Sequence, residues 1–278
     1  MSNIFKNENL FDRNFTPDVM YYREKELCLL SQLFLELLIN PNNISRKILV
    51  TGKPRTGKTI SIRFFANFLV REARRRRVVI KNVYIDCKYH NTIDKVLSEI
   101  RNQLNAKDEK QFIKRISDNL RYRNIYPKPN PHILLILDDL DCLDDDPEHL
   151  LKLISVEYEN SAIKGKKISI ISIASSLDFL KSSVGNNVAE LRKNLIEFTQ
   201  FSREQVFDIL NYRASLGMYV DAYTSEIIEM ITELTLRTGE VSDGLDLLWE
   251  AGKVAEEKNL RQITPECVRL GQDRILRR

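Results

Sequence analysis

Several features that mark particular protein classes are scarce in this sequence. Glycine and proline number only 9 and 8 among 278 residues, which excludes a flexible low-complexity linker, and no internal repeat is found. No apolar run approaches the ~18–20 residues that a membrane-spanning helix needs. The first residues, MSNIFKNENLFDRNF, are too polar for a signal peptide. We therefore expect a cytoplasmic protein with no membrane partner, or a nuclear one if its source has a nucleus.

Cysteine and histidine are sparse and widely scattered. The four cysteines are Cys28, Cys87, Cys142 and Cys267, and the three histidines are His90, His132 and His149. Neither set shows the spacing of a metal site, and the cysteines show no redox pair. We expect the cysteines to be reduced, buried thiols of an intracellular protein and the histidines to be structural.

The composition that is present indicates a folded protein. Hydrophobic residues make up 43% of the chain and charged residues 29%, which is typical of a soluble globular protein. The length suffices for one large or two modest domains with a sizeable core. A formal net charge of +4 permits nucleic acid as a partner without requiring it.

Apolar stretches typical of buried strands alternate with amphipathic stretches typical of helices up to about residue 200. Predicted strands cover 47–51, 78–87, 133–138 and 166–176, and predicted helices cover 23–40, 59–77, 92–104 and a segment that begins at Pro147 with Asp146 as its cap. From about residue 200 onward the pattern is helical throughout. The fold class predicted is therefore an α/β domain with a central parallel sheet over residues 1–198, followed by a small all-helical domain over 199–278.

The loop after the first predicted strand carries a phosphate-binding motif. Its residues, Gly52, Lys53, Pro54, Arg55, Thr56, Gly57, Lys58 and Thr59, match G-x-x-x-x-G-K-[ST] in full. Glycines let successive backbone amides point at phosphate oxygens, and the following helix N-terminus adds a positive dipole. Lys58 is placed to reach the β- and γ-phosphates, and the Thr59 hydroxyl to ligate Mg²⁺. We expect ATP or ADP with Mg²⁺ as the cofactors.

A second acidic site follows the run ILLIL, whose five apolar residues predict a strand buried on both faces. This strand ends at Asp138 and Asp139. In phosphate-loop proteins such a carboxylate holds the Mg²⁺ that bridges the phosphates, which is the role predicted for Asp138. Asp139 lies where a neighbouring acid would orient the attacking water. The alternative is that Asp138, Asp139 and Asp141 only cap a turn.

Taken together, these stretches and several others resemble a known family. IFKNENLFDRNFTPDVMYYREKEL, GKPRTGKT, ILLILDDLDCL, FSREQVFDILNYR and TGEVSDGLDLLWEAGKVAEEKN occur in that order. They resemble the AAA+ domain and lid of archaeal replication initiators, relatives of the eukaryotic origin-recognition and loading ATPases. The resemblance covers about residues 4 to 275. It implies an AAA+ nucleotide-binding domain, a helical lid and origin-like double-stranded DNA as a partner, with self-association, a helicase or other initiator subunits as protein partners.

The sequence departs from the family pattern where the γ-phosphate is acted on. Family members usually carry glutamate where this chain has Asp139, and an asparagine where it offers Ser175 or Ser176. The lid arginine is replaced by Ser242. The nearest candidate for the expected arginine finger is Arg192. The resemblance therefore implies that Asp139 and Arg192 are the catalytic candidates and that Ser175 contacts nucleotide, while the losses predict slow hydrolysis.

Family members continue past the lid into a winged-helix DNA-binding domain, whereas this sequence ends at Arg278. The expectation is either a truncated chain or a short natural form, plasmid- or virus-borne.

Two basic regions are candidates for nucleic-acid contact. The segment 107–131 lies where the resembled initiators carry an extra helical element that contacts DNA. Its candidate residues are Lys110, Lys114, Arg115, Arg121, Tyr122, Arg123 and Lys128. Basic side chains supply salt-dependent affinity for phosphates, and tyrosine can pack on sugars or bases. The other region is REARRRR (71–77), which could equally be a solvated helix end. A surface helix and loop is the alternative for 107–131.

Three functions are compatible with these features. The first is an ATP-dependent DNA-binding initiator that uses nucleotide as a conformational latch. The second is an active oligomeric ATPase loader, which the altered γ-phosphate elements disfavour. The third is a STAND-type regulatory NTPase that acts through protein partners, which the basic segment and the N-terminal resemblance disfavour.

Overall fold

The computed structural model describes residues 3–12, 15–40, 45–105, 132–159, 168–180 and 185–277. These residues form two compact units. The first, called here the α/β unit, contains Lys25–Lys53 and Ser61–Phe198. The second, called the helical unit, contains Met1–Glu24, Pro54–Ile60 and Thr199–Arg278. The predicted domain division at residues 198 and 199 stays a prediction, because the helical unit also includes two segments from earlier in the chain.

The α/β unit is built on a parallel sheet of five strands in the order β2-β3-β4-β1-β5. The strands are β1 (Lys47–Thr51), β2 (Ile80–Asp86), β3 (His132–Asp138), β4 (Ile168–Ile173) and β5 (Leu195–Glu197). The three central strands, β3, β4 and β1, are buried at every position, which their unbroken apolar runs predict. The edge strands β2 and β5 contain exposed positions.

Helices cover the sheet on both faces. They are α1 (Glu24–Ile39), α2 (Lys58–Arg75), α3 (Ile93–Asn105), α4 (Pro147–Glu159) and α5 (Asn186–Lys193). Alternate residues of β3 supply two separate cores: Leu135 packs with α3, α4 and α5, whereas Ile136 packs with α1 and α2. This confirms the predicted α/β class with a central parallel sheet.

The helical unit contains α6 (Arg203–Gly217), α7 (Ser225–Thr238), α8 (Val241–Glu257) and α9 (Pro265–Leu276). Local sequence determines several of these ends. The Ser202 hydroxyl and the Gln205 side chain form a reciprocal capping box at α6. Thr264 caps α9, whose first residue is proline. Helix α7 ends at Gly239, whose φ of 78° is the left-handed conformation that glycine adopts without strain.

The N-terminal arm packs within the helical unit. Ile4, Phe5 and Phe11 belong to the core that the helices of this unit form. The amide of Tyr219 donates to the carbonyl of Ile4 over 3.0 Å, so the arm is also fixed by backbone hydrogen bonds. Within the arm, Glu8–Phe11 form a short 3-10 turn.

Other local predictions are corrected by the structure. Helix α5 and strand β5 were not anticipated, because elements of eight and three residues show little periodicity. Cys28 and Cys142 are exposed, so the expectation of buried thiols holds only for Cys87 and Cys267. The cap predicted at Asp146 is confirmed, since its carboxylate accepts the amides of Glu148 and His149. Within the described ranges, no helix has the length and apolar character needed to cross a membrane.

The docking of the arm leads to a stability prediction. Phe5 is 4% exposed, and a Cβ added at Gly252 of α8 would lie 2.3 Å from its ring. Phe5→Ala should therefore leave a cavity and lower the free energy of unfolding by about 3 kcal/mol. Urea denaturation followed by circular dichroism measures this. Val220→Ala is the control, because Val220 is 79% exposed and its truncation should change stability little. Equal stabilities for the two variants would contradict the packing described.

Candidate functional site

The carboxyl ends of the parallel strands bring several predicted site residues to one edge of the sheet. Gly52 follows β1, Asp138 ends β3, and Ser175 follows β4. The strand register pairs Asp86 with Asp138 at the end of β2 and β3. In parallel α/β sheets, ligands bind outside this edge. The candidate site residues of the α/β unit therefore lie at the sheet edge where this fold class binds ligands.

Gly52 starts the phosphate loop and must be glycine. Its φ is 148°, and an added Cβ would lie 2.3 Å from the carbonyl oxygen of Phe198. That distance is far below any normal contact, so a side chain here would displace the backbone. The first glycine of the motif is therefore required by close packing of the loop base.

The rest of the loop, Pro54–Ile60, belongs to the helical unit, and α2 begins at Lys58. The predicted context of strand, loop and helix is therefore present. Lys58 and Thr59 stand in the first turn of α2, where amide groups and the helix dipole favour an anion. Lys58 is buried to 7% exposure, and Thr59 is half-buried.

Arg23 supports this loop, a role that the sequence alone did not reveal. Its Nη2 donates to the carbonyls of Thr56 and Thr199, both over 2.8 Å. Its guanidinium lies over the Phe201 ring, with the carbon 3.8 Å from the ring centroid. The side chain is 2% exposed, so a buried charge holds the loop in place through carbonyl oxygens. The available signal was the arginine in REKEL, which the sequence analysis used only for the family resemblance.

Arg55 forms a second connection within the helical unit. Its Nε lies 3.2 Å from the carboxylate Oε2 of Glu240, in the short connection between α7 and α8. Its φ of 72° is unusual, because left-handed backbone crowds the Cβ of any residue except glycine and costs about 1 kcal/mol. A charged side chain thus occupies a backbone position that glycine suits better.

A small cavity of about 150 Å³ also lies within the helical unit. It is lined by Gln200, Phe201, Val206, Thr235, Leu236, Gly239 and Val241. Two separate stretches of the chain, 200–206 and 235–241, contribute these residues, and neither has a distinctive spacing. Sequence reasoning consequently missed them. The lining combines polar and apolar side chains.

Asp138 is oriented by two hydrogen bonds. Its Oδ2 accepts the hydroxyl of Tyr84 over 2.5 Å, and its Oδ1 accepts the amide of Asp139 over 3.1 Å. The Arg63 guanidinium lies 4.4 Å from the centroid of the Tyr84 ring. Burial and the hydrogen bond to Asp138 raise the pKa of Tyr84, so its hydroxyl stays protonated as a donor. The carboxylate is therefore held in one orientation at the strand end.

The donor chemistry fits a magnesium ion. Asp138 in the α/β unit and Thr59 in the helical unit each carry a hard oxygen atom of the kind that Mg²⁺ prefers. In proteins, Mg²⁺ is commonly held by one or two carboxylates together with phosphate and water oxygens. Among the described residues, no group of three or more His, Cys, Asp or Glu could hold a metal ion alone. A magnesium ion held by Asp138 would therefore depend on the phosphates for further ligands.

Asp139 is drawn toward a lysine. Its backbone is left-handed, with φ of 50°, and its Oδ2 lies 2.8 Å from Nζ of Lys88. The hydrogen bond to Asp139 raises the pKa of Lys88, so the lysine stays charged. Lys88 follows β2 and was not identified from the sequence. The acid predicted to orient water is thus engaged in an ion pair within the α/β unit.

Comparison with known proteins finds matching domains and similar relatives. A model of the AAA domain matches residues 45–180, and a model of the Cdc6 AAA+ ATPase-type lid domain matches residues 207–273. The ORC1-type DNA replication protein of Pyrococcus abyssi is 26% identical over 281 residues, which cover 98% of this chain and 65% of that protein. The chain thus carries an AAA domain followed by a Cdc6-type lid, and it is similar to archaeal ORC1-type DNA replication proteins over nearly its whole length. It spans only 65% of the length of that relative.

Solved structures of ORC proteins share the fold. The Aeropyrum pernix ORC1 protein in complex with DNA has a TM-score of 0.79 at 23% identity, over 99% of this chain and 71% of that one. The Aeropyrum pernix ORC2 protein in ADPNP–ADP complexes has a TM-score of 0.78 at 20% identity, over 96% of this chain and 71% of that one.

Two family-derived predictions have specific places in the α/β unit. The Ser175 amide donates to Asp141 Oδ2 over 3.0 Å, so Asp141 fixes the chain after β4. A structural role of this kind is what the alternative reading, in which these aspartates only cap a turn, expects for Asp141. Arg192 is exposed on α5, and its Nη2 donates to the Leu180 carbonyl over 2.6 Å. The roles of Ser175 at nucleotide and of Arg192 as a finger stay predictions.

The predicted DNA-contacting residues cannot be placed. Lys110, Lys114, Arg115, Arg121, Tyr122, Arg123 and Lys128 all lie in 106–131, outside the described residues. The competing region is described: Arg71, Arg74, Arg75, Arg76 and Arg77 are all exposed at the end of α2. Glu72 pairs with Arg75, and Arg77 has a left-handed φ of 61°. Of the two basic candidate regions, this exposed arginine cluster is therefore the one that lies within the described residues.

Proposed function

We propose that this protein binds ATP or ADP with Mg²⁺ and binds double-stranded DNA, with the nucleotide acting as a conformational latch and being hydrolysed slowly. The observation that carries the proposal is the phosphate loop in its required context. The loop follows β1, and Lys58 opens α2. Asp138 ends a strand of the same sheet, at the same edge as Gly52.

Nucleotide binding follows from the chemistry of these groups. The backbone N–H groups of the loop donate hydrogen bonds and carry a partial positive charge, so they bind phosphate oxygens. Lys58 adds a full charge at the β- and γ-phosphates, while Thr59 and Asp138 supply oxygen ligands to Mg²⁺. The cavity beside Phe201 has a suitable size for the base. Nucleotide in the ORC2 protein of Aeropyrum pernix supports the same assignment here.

Slow hydrolysis follows from how Asp139 is held. In hydrolysis, a water oxygen bonds to the γ-phosphorus, the bond to the β–γ bridging oxygen breaks, and a proton leaves the water. Asp139 must reach that water, which attacks in line with the breaking bond, to orient it and take up its proton. Its side chain is one methylene shorter than glutamate, and Lys88 engages its carboxylate. Ser242 and Ser175 replace family donors that would stabilise charge on the transferring group. The bound nucleotide consequently persists and can serve as a latch.

DNA binding is supported by the basic segment 107–131 and by the Aeropyrum pernix ORC1 protein in complex with DNA. The arginine cluster at the end of α2 is the competing candidate for this contact. Basic side chains give affinity that depends on salt and little on sequence. Self-association, a helicase and other initiator subunits are the protein partners proposed.

Lys58→Ala tests nucleotide binding. Removing this cation should weaken the affinity for ATP and ADP by at least about tenfold, since hydrogen bonds to charged groups contribute roughly 1.5–3 kcal/mol. Isothermal titration calorimetry or a fluorescent analogue measures the affinity. Lys25→Ala, which removes an exposed lysine of α1, is the matched control. Unchanged affinity in Lys58→Ala would remove the phosphate loop as the nucleotide site.

A salt titration tests DNA binding. Reversing Arg121 and Arg123 together to glutamate should weaken duplex binding uniformly across sequences, and should lower the slope of log affinity against log salt by about 2. Fluorescence anisotropy with a labelled duplex measures both. Reversing the exposed Arg261 and Arg269 makes the same charge change elsewhere. A double variant equal to wild type would move the contact to Arg74–Arg77 or abolish it.

Hydrolysis and binding should separate on mutation. Asp138→Asn should impair Mg²⁺-dependent nucleotide binding, whereas Asp139→Asn should preserve binding and remove the residual turnover. Misplacement of a reacting group by about 1 Å can slow a reaction on the order of a hundredfold, so wild-type turnover should be slow. Phosphate release measures the rate, and Asp139→Glu tests the arm length directly. Wild-type turnover of many per second, or full activity in Asp139→Asn, would refute the role given to Asp139.

A further inference from the structure

Arg55 occupies a backbone position that its side chain makes costly. Its φ of 72° lies in the left-handed region, where only glycine and, less readily, asparagine and aspartate fit without strain. The next residue, Thr56, is held by Arg23 through its carbonyl oxygen, so this conformation is fixed by the surrounding structure. Non-glycine residues that persist in such conformations concentrate at ligand clamps and switch regions. Unlike glycine, Arg55 carries a guanidinium group that can bind an anion.

The partner of that charge, Glu240, lies in the short connection between α7 and α8. Glu240 follows Gly239, around which a Cβ would meet nothing within 4 Å, and Glu240 immediately precedes α8. Its side chain makes no capping hydrogen bond to that helix. Instead its carboxylate lies 3.2 Å from Nε of Arg55. The carboxylate thus has two alternative partners, the arginine and the amides at the start of α8.

We propose that Arg55 and Glu240 form an ion-pair latch that nucleotide phosphate opens. The proposal rests on the proposed function, because it requires nucleotide phosphates at the loop 52–59. The polyphosphate brings more negative charge to Arg55 than one carboxylate does, and guanidinium binds phosphate oxygens through paired hydrogen bonds. Arg55 therefore exchanges Glu240 for phosphate. The released carboxylate then stabilises the N-terminus of α8.

This exchange gives the nucleotide a physical means to act on the helices. The connection Gly239–Glu240 joins α7 to α8, so breaking the ion pair frees the point at which the two helices meet. Gly239 and Val241, on either side of Glu240, also line the cavity described above. Phosphate binding and the opening of the Arg55–Glu240 ion pair are therefore thermodynamically linked. The factor by which phosphate favours the open pair equals the factor by which opening the pair raises phosphate affinity.

The size of the coupling is limited by solvent. The side chains of Arg55 and Glu240 are 46% and 30% exposed, and ion pairs at such positions contribute only modestly. The expected coupling is about two- to fivefold in nucleotide affinity. A second ion pair of the helical unit, Arg203–Glu233, has exposures of 52% and 54% but touches no loop residue, so it supplies a matched control.

The experiment is a double-mutant cycle on the full chain with Mg²⁺ and ADP. Glu240→Gln should tighten ADP binding about two- to fivefold, because phosphate no longer competes with the carboxylate. Arg55→Asn tolerates left-handed backbone and removes the charge, so it should weaken binding and cancel the effect of Glu240→Gln in the double variant. Arg55→Gly repeats this test without backbone strain. Glu233→Gln should bind like wild type.

A second readout follows the helices themselves. Trp249, the single tryptophan of the chain, lies on α8. ADP should change its fluorescence emission in wild type, and Glu240→Gln should show part of that change before ADP is added. Glu240→Gln with unaltered or weaker ADP binding, or with its effect intact in the Arg55→Asn background, would overturn the latch while leaving nucleotide binding established. No ADP binding by wild type would overturn the proposed function itself.

Discussion

The complete burial of the central strands is the constraint on which the α/β unit depends. Strands β3, β4 and β1 expose no position to solvent, so both faces of the sheet must be covered by helices. Parallel strands with helices on both faces need long crossover connections, and these place every strand's carboxyl end at one edge. Gly52, Asp138 and Ser175 converge there for this reason, although they are far apart in the chain. Packing of apolar residues thus determines where the polar chemistry lies.

At that edge the two adjacent aspartates have different environments. Asp138 accepts hydrogen bonds from Tyr84 and from the following amide, which leave it a fixed carboxylate suited to a metal ion. Asp139 turns into left-handed backbone and pairs with Lys88. Asp138 is thereby held in one orientation, whereas Asp139 is engaged by a lysine. This asymmetry favours a protein that retains its nucleotide over an active oligomeric loader.

Two arginines fix the other part of the phosphate loop. Arg23 is buried and bonds two carbonyl oxygens, a contact that nucleotide would not disrupt. Arg55 is half exposed and forms an ion pair with the Glu240 carboxylate, a contact for which phosphate can compete. The contact of Arg23 would keep the shape of the loop, while the contact of Arg55 would change when phosphate binds. A STAND-type regulator that acts through protein partners could use the same ion-pair exchange. The proposed exchange therefore does not by itself distinguish a DNA-binding initiator from such a regulator.

Sequence alone determined the fold class, the phosphate loop, the strand ending at Asp138 and the family resemblance, because each depends on residues that are contiguous or regularly spaced. The apolar run of β3 and the motif Gly52–Thr59 carry their meaning locally. Only the tertiary structure decided which polar side chains pair: Lys88 with Asp139, Arg55 with Glu240, Tyr84 with Asp138. These partners come from segments far apart in the chain, and no local pattern encodes a contact between side chains that folding brings together. The short strand β5 was missed for the same reason, since three residues gain their identity only from pairing with β1.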